Sequence, residues 1–399
     1  MRYGLAVAGV MLASGAQAQD LTLAPILDAR LRWEHAEQDG IPKDATAVTA
    51  RVRSGVNATL GDWSALIESE ATLAIVPDYN DGANGKTRFA GVADPENIEI
   101  NRIQVQRRWQ GGSATVGRQL IELQDQRFVG SGSFRQNQQT FDAARVQTTP
   151  LPGVSVDVTY AWGDHRLVAA PRGDFRHGIG GDSVFALAGA ATPIGTLTGF
   201  AYLIDVDDAR VQGFRQSNQS YGARLAGNRK LGGGLTLSYA GSYAAQSDWH
   251  RNPNRYRADY YLAEASLGTA AVTATAGYEV LGAGRGPSRG ATLASFQTPF
   301  SALFKFQGWA DKFTITPPDG VRDLYGTLAA TDKKRGLSAT ATYHRFTSDR
   351  DVRLYGDEWN LLAAAKVADV TYSIRLAHYV AKGFATDTDR VWLSADWAL

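Results

Sequence analysis

Arginine returns at every second position in two early segments, as Arg30 and Arg32 and again as Arg51 and Arg53. Acids follow the same spacing at Glu68 and Glu70, and Asp28 and Glu34 share the phase of the first pair. A guanidinium is planar, stays charged at physiological pH and grips a carboxylate through two N–H bonds. Residues two apart on a strand share one face. The chemistry in reach is therefore anion contact, with interleaved acids keeping each site weak enough to release what it holds. The competing reading is a ladder of cross-strand ion pairs that solvates a wall. No catalytic set stands beside them. The six histidines, at 35, 165, 177, 250, 344 and 378, form no H-E-x-x-H and join no G-x-S-x-G. The absence of cysteine removes disulfides, thiolate metal sites and thiol nucleophiles. Asp205-Val206-Asp207-Asp208 and Asp387-Thr388-Asp389 offer loop carboxylates to Ca²⁺ but lack the EF-hand spacing and glycine, so they read as solvated acids and no cofactor is expected.

Strands must position these side chains. Leu27, Ala29, Leu31 and Trp33 alternate with Asp28, Arg30, Arg32 and Glu34. Val48, Ala50, Val52, Val56, Ala58 and Leu60 alternate with polar partners over 48–60, and Trp63, Ala65, Ile67, Ala71 and Leu73 do so over the next segment. Period two over such lengths is a strand with one apolar and one polar face. The apolar faces are rich in alanine and carry Trp or Tyr near the strand ends. A soluble sandwich uses shorter strands. Long strands with aromatic ends and charged inner faces fit a transmembrane barrel, apolar toward lipid and polar toward a lumen.

The 399 residues carry 41 Lys+Arg against 40 Asp+Glu, too even for a nucleic-acid binder. Of the 41 bases, 32 are Arg and 9 Lys, which favours an anion path for the arginines as a set. Residues 1–18 read as a secretory signal peptide: Arg2, an apolar run from Leu5 to Ala13, and an A-x-A site ending at Ala18, with cleavage before Gln19. Residues 19–399 form one barrel domain on this reading. No later apolar run has the length of a membrane helix, so a membrane location requires a closed barrel.

Four motif clusters add a family resemblance. They are Gly117-Arg118-Gln119 with Asp125-Gln126-Arg127-Phe128-Val129-Gly130, Arg135-Gln136 and Gln139-Thr140-Phe141-Asp142; Phe304 to Phe313 with Pro317 to Tyr325; Tyr355-Gly356-Asp357-Glu358-Trp359; and Phe384 to Asp389. In this order they resemble the alginate-export family of Gram-negative outer-membrane proteins, over essentially the whole mature chain. The resemblance implies an eighteen-stranded barrel with an Arg-rich pore for an acidic polysaccharide. With it in view, eighteen strands fall near 26–37, 46–60, 63–75, 97–109, 113–121, 141–148, 153–162, 183–192, 195–205, 217–227, 234–247, 257–268, 270–281, 321–331, 336–347, 355–366, 370–380 and 388–398. The fold expected is all-β: a single antiparallel transmembrane β-barrel of about 18 strands, with short periplasmic turns and long extracellular loops. Two segments resist the pattern. Val184 to Ala191 is nearly all apolar, and 97–109 changes phase between Ile100 and Ile103, which a bulge near Asn101 would reconcile. One departure from the family is the last residue, Leu399, where an aromatic is usual for the insertion machinery.

By phase, Arg30, Arg32, Arg51, Arg53, Arg145, Arg224 and Arg375 point inward with Glu68 and Glu70, and Arg102 joins them across the bulge. An inward fold of 122–140 would carry Asp125, Arg127 and Arg135 into the lumen. Arg118 is a pore candidate whose phase follows apolar Val116. Lys305, Asp311 and Lys312 sit among the aromatics of 304–313, which cap or line the mouth. The partners expected are outer-membrane lipid, the barrel-insertion machinery and an acidic saccharide or other organic anion, around a barrel that needs no second chain to close. A general diffusion porin of the same fold is the first alternative, and a barrel enzyme the second. Trp249-His250-Arg251 and Tyr343-His344-Arg345 are read as rim residues.

Overall fold

In the computed structural model, residues 20–166 and 178–399 are described. The signal-peptide reading of 1–18 and His177 lie outside them. Eighteen strands follow one another along the chain. They are β1 Thr22–Gln38, β2 Ala45–Leu60, β3 Trp63–Asp78, β4 Asn97–Trp109, β5 Gly112–Gln119 and β6 Thr140–Leu151. Next come β7 Val154–His165, β8 Ile179–Thr192, β9 Gly195–Ile204, β10 Asn218–Gly232, β11 Leu235–Asp248 and β12 Arg257–Gly268. The last are β13 Val272–Leu281, β14 Val321–Asp332, β15 Leu337–Thr347, β16 Leu354–Val367, β17 Val370–Ala381 and β18 Thr388–Ala398. Each pairs antiparallel with its sequence neighbours, and β18 returns to β1 over Asp28↔Ala398 to Gln38↔Thr388. The sheet is a closed ring with no free edge.

The connections alternate. One end of the ring carries tight turns such as Gly61-Asp62 and Pro193-Ile194, and the other carries the long segments 79–96, 120–139, 205–217 and 282–320. This is the asymmetry the sequence predicts.

The ring is inside out relative to a soluble domain. Leu31, Val52, Ile67, Leu73, Ile103, Val116, Leu328 and Leu393 are all exposed on the outer wall. Between them, on the opposite phase, Arg32, Arg51, Glu68, Glu70 and Thr159 are buried. Aromatic side chains close the apolar band at both ends. Trp63, Trp109 and Tyr372 lie by the tight turns; Tyr160, Trp162, Tyr221, Tyr243, Tyr261, Tyr278 and Trp359 lie by the long loops. An outward apolar band between two aromatic girdles is the surface of a membrane-spanning barrel.

The bulge expected near Asn101 is present. Glu68 pairs with Arg102 and Ser69 with Ile100, so Asn101 is the extra residue. Ile98 and Ile100 therefore face out below it, and Ile103 and Val105 face out beyond it. The apolar segment Val184 to Ala191 is also a strand, within β8. Its alternation fails because its inner face is apolar too: Phe185 is fully buried against the aromatic rings of Phe141, Tyr202 and Phe300.

That packing is part of a core the alternation does not announce. Phe128 from 120–139 and Phe296 and Phe300 from 282–320 pack on Phe141, Phe185, Phe200, Tyr202 and Tyr260 of the wall. On the β6 to β12 side, apolar side chains from wall and loops pack together inside the ring. The expectation of a uniformly polar inner face is corrected there.

Placing a cation on the outer band tests the orientation. Ile67→Arg, near the middle of β3, should cost about 2–4 kcal/mol in urea unfolding from lipid vesicles. A change near zero would mean that this face does not meet hydrocarbon.

Candidate functional site

Two long segments fold into the ring and meet there. Gly130 donates its N–H to the Phe300 carbonyl at 2.9 Å, and Lys305 Nζ donates to the Asp125 carbonyl at 2.8 Å. The first segment also spans the lumen. On one wall, Phe134 accepts from Arg30 Nη1 at 2.9 Å and from Arg32 Nη2 at 2.6 Å, and Gln136 Nε2 donates to Thr49 Oγ1 at 2.8 Å. On the opposite wall, Arg127 Nε donates to Glu279 Oε1 at 2.6 Å, and Asp125 pairs with Arg224 at 2.9 Å. The second segment is held by Glu358, whose Oε1 accepts the N–H of Trp309 at 2.5 Å and of Ala310 at 2.9 Å. Gly308 makes this possible: it has φ +82°, and a Cβ there would overlap the Glu358 carboxylate.

The inward-fold expectation for Asp125, Arg127 and Arg135 therefore agrees with their placement. Arg127 is 1% exposed, so it is a buried tie and not a surface that a solute meets. Burial would lower its pKa, but Glu279, Tyr260 and Asp125 together raise it. Arg135 pairs with Asp311, which joins the two loops, and the same balance raises its pKa.

Most wall arginines are paired. Arg30 meets Asp396, Arg51 meets Asp28, and Arg32 meets Asp94 at 3.2 Å. Arg53 binds Glu70 at 2.5 Å. Arg102 and Asn101 both reach Glu68 Oε1, at 2.9 and 2.7 Å, so the bulge turns two consecutive side chains to one acid. Arg145 holds Asp157 through two nitrogens, at 2.9 and 2.5 Å. The ion-pair ladder is thus the better account of these six.

Arg375 differs. It makes no ion pair or hydrogen bond among the described residues. Its guanidinium faces the rings of Phe134 at 5.0 Å and Trp309 at 5.9 Å. Phe134 in turn stacks on Phe304 with centroids 3.3 Å apart.

A cavity of about 950 Å³ opens beside these rings. Arg30, Arg135, Arg166, Arg210, Lys305 and Arg375 reach it, and Asp396 is the one carboxylate on its wall among the described residues. Nη1 of Arg135 has no hydrogen-bond partner among the described residues. Six cations reach this cavity against one acid on its wall, and four of them, Arg30, Arg135, Arg166 and Arg210, pair with acids.

Several residues depart from their expected places. Arg118 is not in the lumen: it shares the outward phase of Val116 and binds Asp142, with His165 on the same carboxylate at 2.8 Å. His344 is not a rim residue, since it is buried and meets Asp323 at 2.9 Å. The acids of 205–208 serve protein donors, Asp207 pairing with Arg251 and Asp208 with Arg210 at 2.8 Å. Sequence reasoning passed over Arg390, which binds Glu34 at 2.9 Å, and Asp94. The phase of Arg390 with Trp392 and Ser394 was available as a signal. Asp94 lies in a loop with no periodicity to place it.

No protein-family profile matches the sequence, and no curated protein matches it. Solved structures do. Acinetobacter baumannii OccAB4 superposes with a TM-score of 0.71 at 11% identity, over 96% of this chain and 99% of its own. Pseudomonas aeruginosa OpdL gives 0.67 at 15% identity, over 94% and 98%. Pseudomonas aeruginosa OpdK, solved with vanillate, gives 0.64 at 14% identity, over 94% and 98%. At these identities the likeness is one of fold.

Two measurements follow from the loop contacts. Glu279→Ala leaves Arg127 buried without its carboxylate and should destabilise the barrel by about 3–5 kcal/mol, read by thermal unfolding in detergent. Lys312 lies over the Tyr379 ring at 6.0 Å. Burial, with repulsion from Arg390, pushes its ammonium down to about 8. It is charged below that pH and neutral above it. Anion-over-cation selectivity in planar bilayers should therefore fall between pH 7 and 9, and Lys312→Arg should hold the pH 7 value throughout that range. A flat wild-type profile would contradict this.

Proposed function

We propose that the chain is an outer-membrane channel that passes small organic anions, with a carboxylate-binding station at Arg375. The observation that carries this is the cavity of about 950 Å³ with six cations and one carboxylate on its wall. Its size is that of a small-molecule site. Arg375 has no hydrogen-bond or ion-pair partner among the described residues, and two aromatic faces beside it suit a flat ring. The other arginines are engaged with acids, so each offers an anion only part of its donor capacity, which suits release as much as capture. OpdK, one of the structures this fold resembles, was solved with vanillate, an aromatic carboxylate. The outward apolar band and the leader expected at 1–18 support the outer membrane of a Gram-negative cell as the location. The reading assigns transport and no catalysis.

The motif clusters support a second reading, export of an acidic polysaccharide in the manner of the alginate-export family. A polymer needs a continuous bore. Here one segment crosses the lumen tied to both walls and a second folds in to meet it, which favours the small anion. The same crossing argues against a general diffusion porin.

Liposome flux decides between them. Vanillate should enter faster than a neutral sugar of similar size. Arg375→Gln should weaken its apparent affinity about tenfold, as the loss of a charged hydrogen bond implies. Equal vanillate flux in wild type and variant would remove Arg375 from the path. Passage of an acidic decasaccharide as fast as vanillate would favour the polymer.

A further inference from the structure

The outer wall holds a cluster that neither the lumen nor the lipid explains. The phase that sends Arg32 and Glu34 inward turns Trp33, His35 and Glu37 outward at the long-loop end of β1. The His35 ring lies parallel to Trp33, with centroids 6.0 Å apart and planes at 5°. These residues stand at the headgroup edge of the apolar band. The short turn into β2 then brings Asp44 back beside them. One ligand atom from each of His35, Glu37 and Asp44 lies within 4.8 Å of the other two.

The imidazole is oriented for this. Its Nδ1 is 3.2 Å from Thr46 Oγ1, and its Nε2 is 3.1 Å from Glu37 Oε1. A neutral imidazole has one N–H. With the proton on Nδ1 and donated to Thr46 Oγ1, the Nε2 lone pair is the ligand offered beside the Glu37 carboxylate.

The neighbouring strand adds an independent sign. The register sets Glu37 directly opposite Asp389 on β18. Like charges in that position destabilise a sheet. Asp389 is already bound by His378 Nδ1 at 2.7 Å, on its other side. No Lys or Arg forms an ion pair with Glu37, Asp44 or Asp389 among the described residues. The one basic neighbour in the turn, Lys43, lies over the Phe89 ring at 4.9 Å instead. Three carboxylates thus gather here with only imidazoles, and no Lys or Arg, paired to them among the described residues.

We propose that His35, Glu37 and Asp44 bind a divalent transition-metal ion of the zinc class on the outer wall. An imidazole nitrogen with two carboxylates suits zinc and its neighbours, whereas magnesium and calcium take oxygen ligands. Three protein ligands leave one tetrahedral position for water. Thr46 is the outer partner that fixes the tautomer.

Calorimetric titration of the full-length barrel in detergent, stripped with chelator, tests this. ZnCl₂ should fill one saturable site per chain in the presence of excess MgCl₂. His35→Ala and Asp44→Asn should each weaken binding at least about tenfold. His378→Ala should leave it unchanged. Asp44 is in an exposed turn, so its variant reads the loss even if the His35 variant does not fold. No saturable uptake, equal affinity in Asp44→Asn, displacement by magnesium, or loss confined to His378→Ala would each overturn the assignment.

Discussion

Hydrocarbon offers no hydrogen bonds, and the rest of the structure depends on that. Every N–H and C=O within the bilayer must find a partner in the chain, which strands achieve only as a closed ring. The pairing of β18 with β1 is therefore the contact without which the other seventeen strand pairs would leave two bare edges in lipid. Closure also decides polarity. The outer face must be apolar, so charged side chains can only go inward, and inside they meet one another.

That meeting explains why arginine outnumbers lysine. A side chain in the narrow space between wall and loop must satisfy several donors at once. Arg32 does so with Asp94, Ser394 and the Phe134 carbonyl, and Arg127 with Glu279, Thr298 and Ser301. A fixed fork of five donors suits that geometry, and a lysine ammonium does not. Much of the arginine excess is thus structural. The ties hold the two inward segments, and the segments leave the positive cavity open between them.

The ring was legible in the sequence because its constraint is periodic. Wherever one face meets lipid and the other meets charge, as in 27–34 and 48–60, residue type alternates and the strand shows itself. Even the slip between Ile100 and Ile103 was readable, because a bulge moves the phase by one residue. Legibility ends where the lumen is filled. Phe185, Phe200 and Tyr202 face inward onto loop aromatics, so the β8 pattern loses its polar half. Loop residues have no period at all. That Asp125, Arg127 and Arg135 turn inward was inferred from residue type and length. Which acids they would meet was not, since Glu279 and Asp311 lie more than 150 positions away.

The same contrast separates the residues that build the lumen from those that can meet a solute. Phase alone puts Arg30, Arg51 and Arg375 on one inner surface, and no sequence rule ranks them. Their partners do. Arg51 is 1% exposed and bound to Asp28, so its charge is answered within the wall. Arg30 shares Asp396 and reaches the cavity with what remains. Arg375 makes no ion pair or hydrogen bond among the described residues and lies beside ring faces, which stabilise a cation without satisfying its hydrogen-bond donors. An anion arriving in the cavity gains most where those donors are unanswered. On the function proposed above, selectivity is therefore set less by the number of arginines on the wall than by the one that pairs with no acid among the described residues.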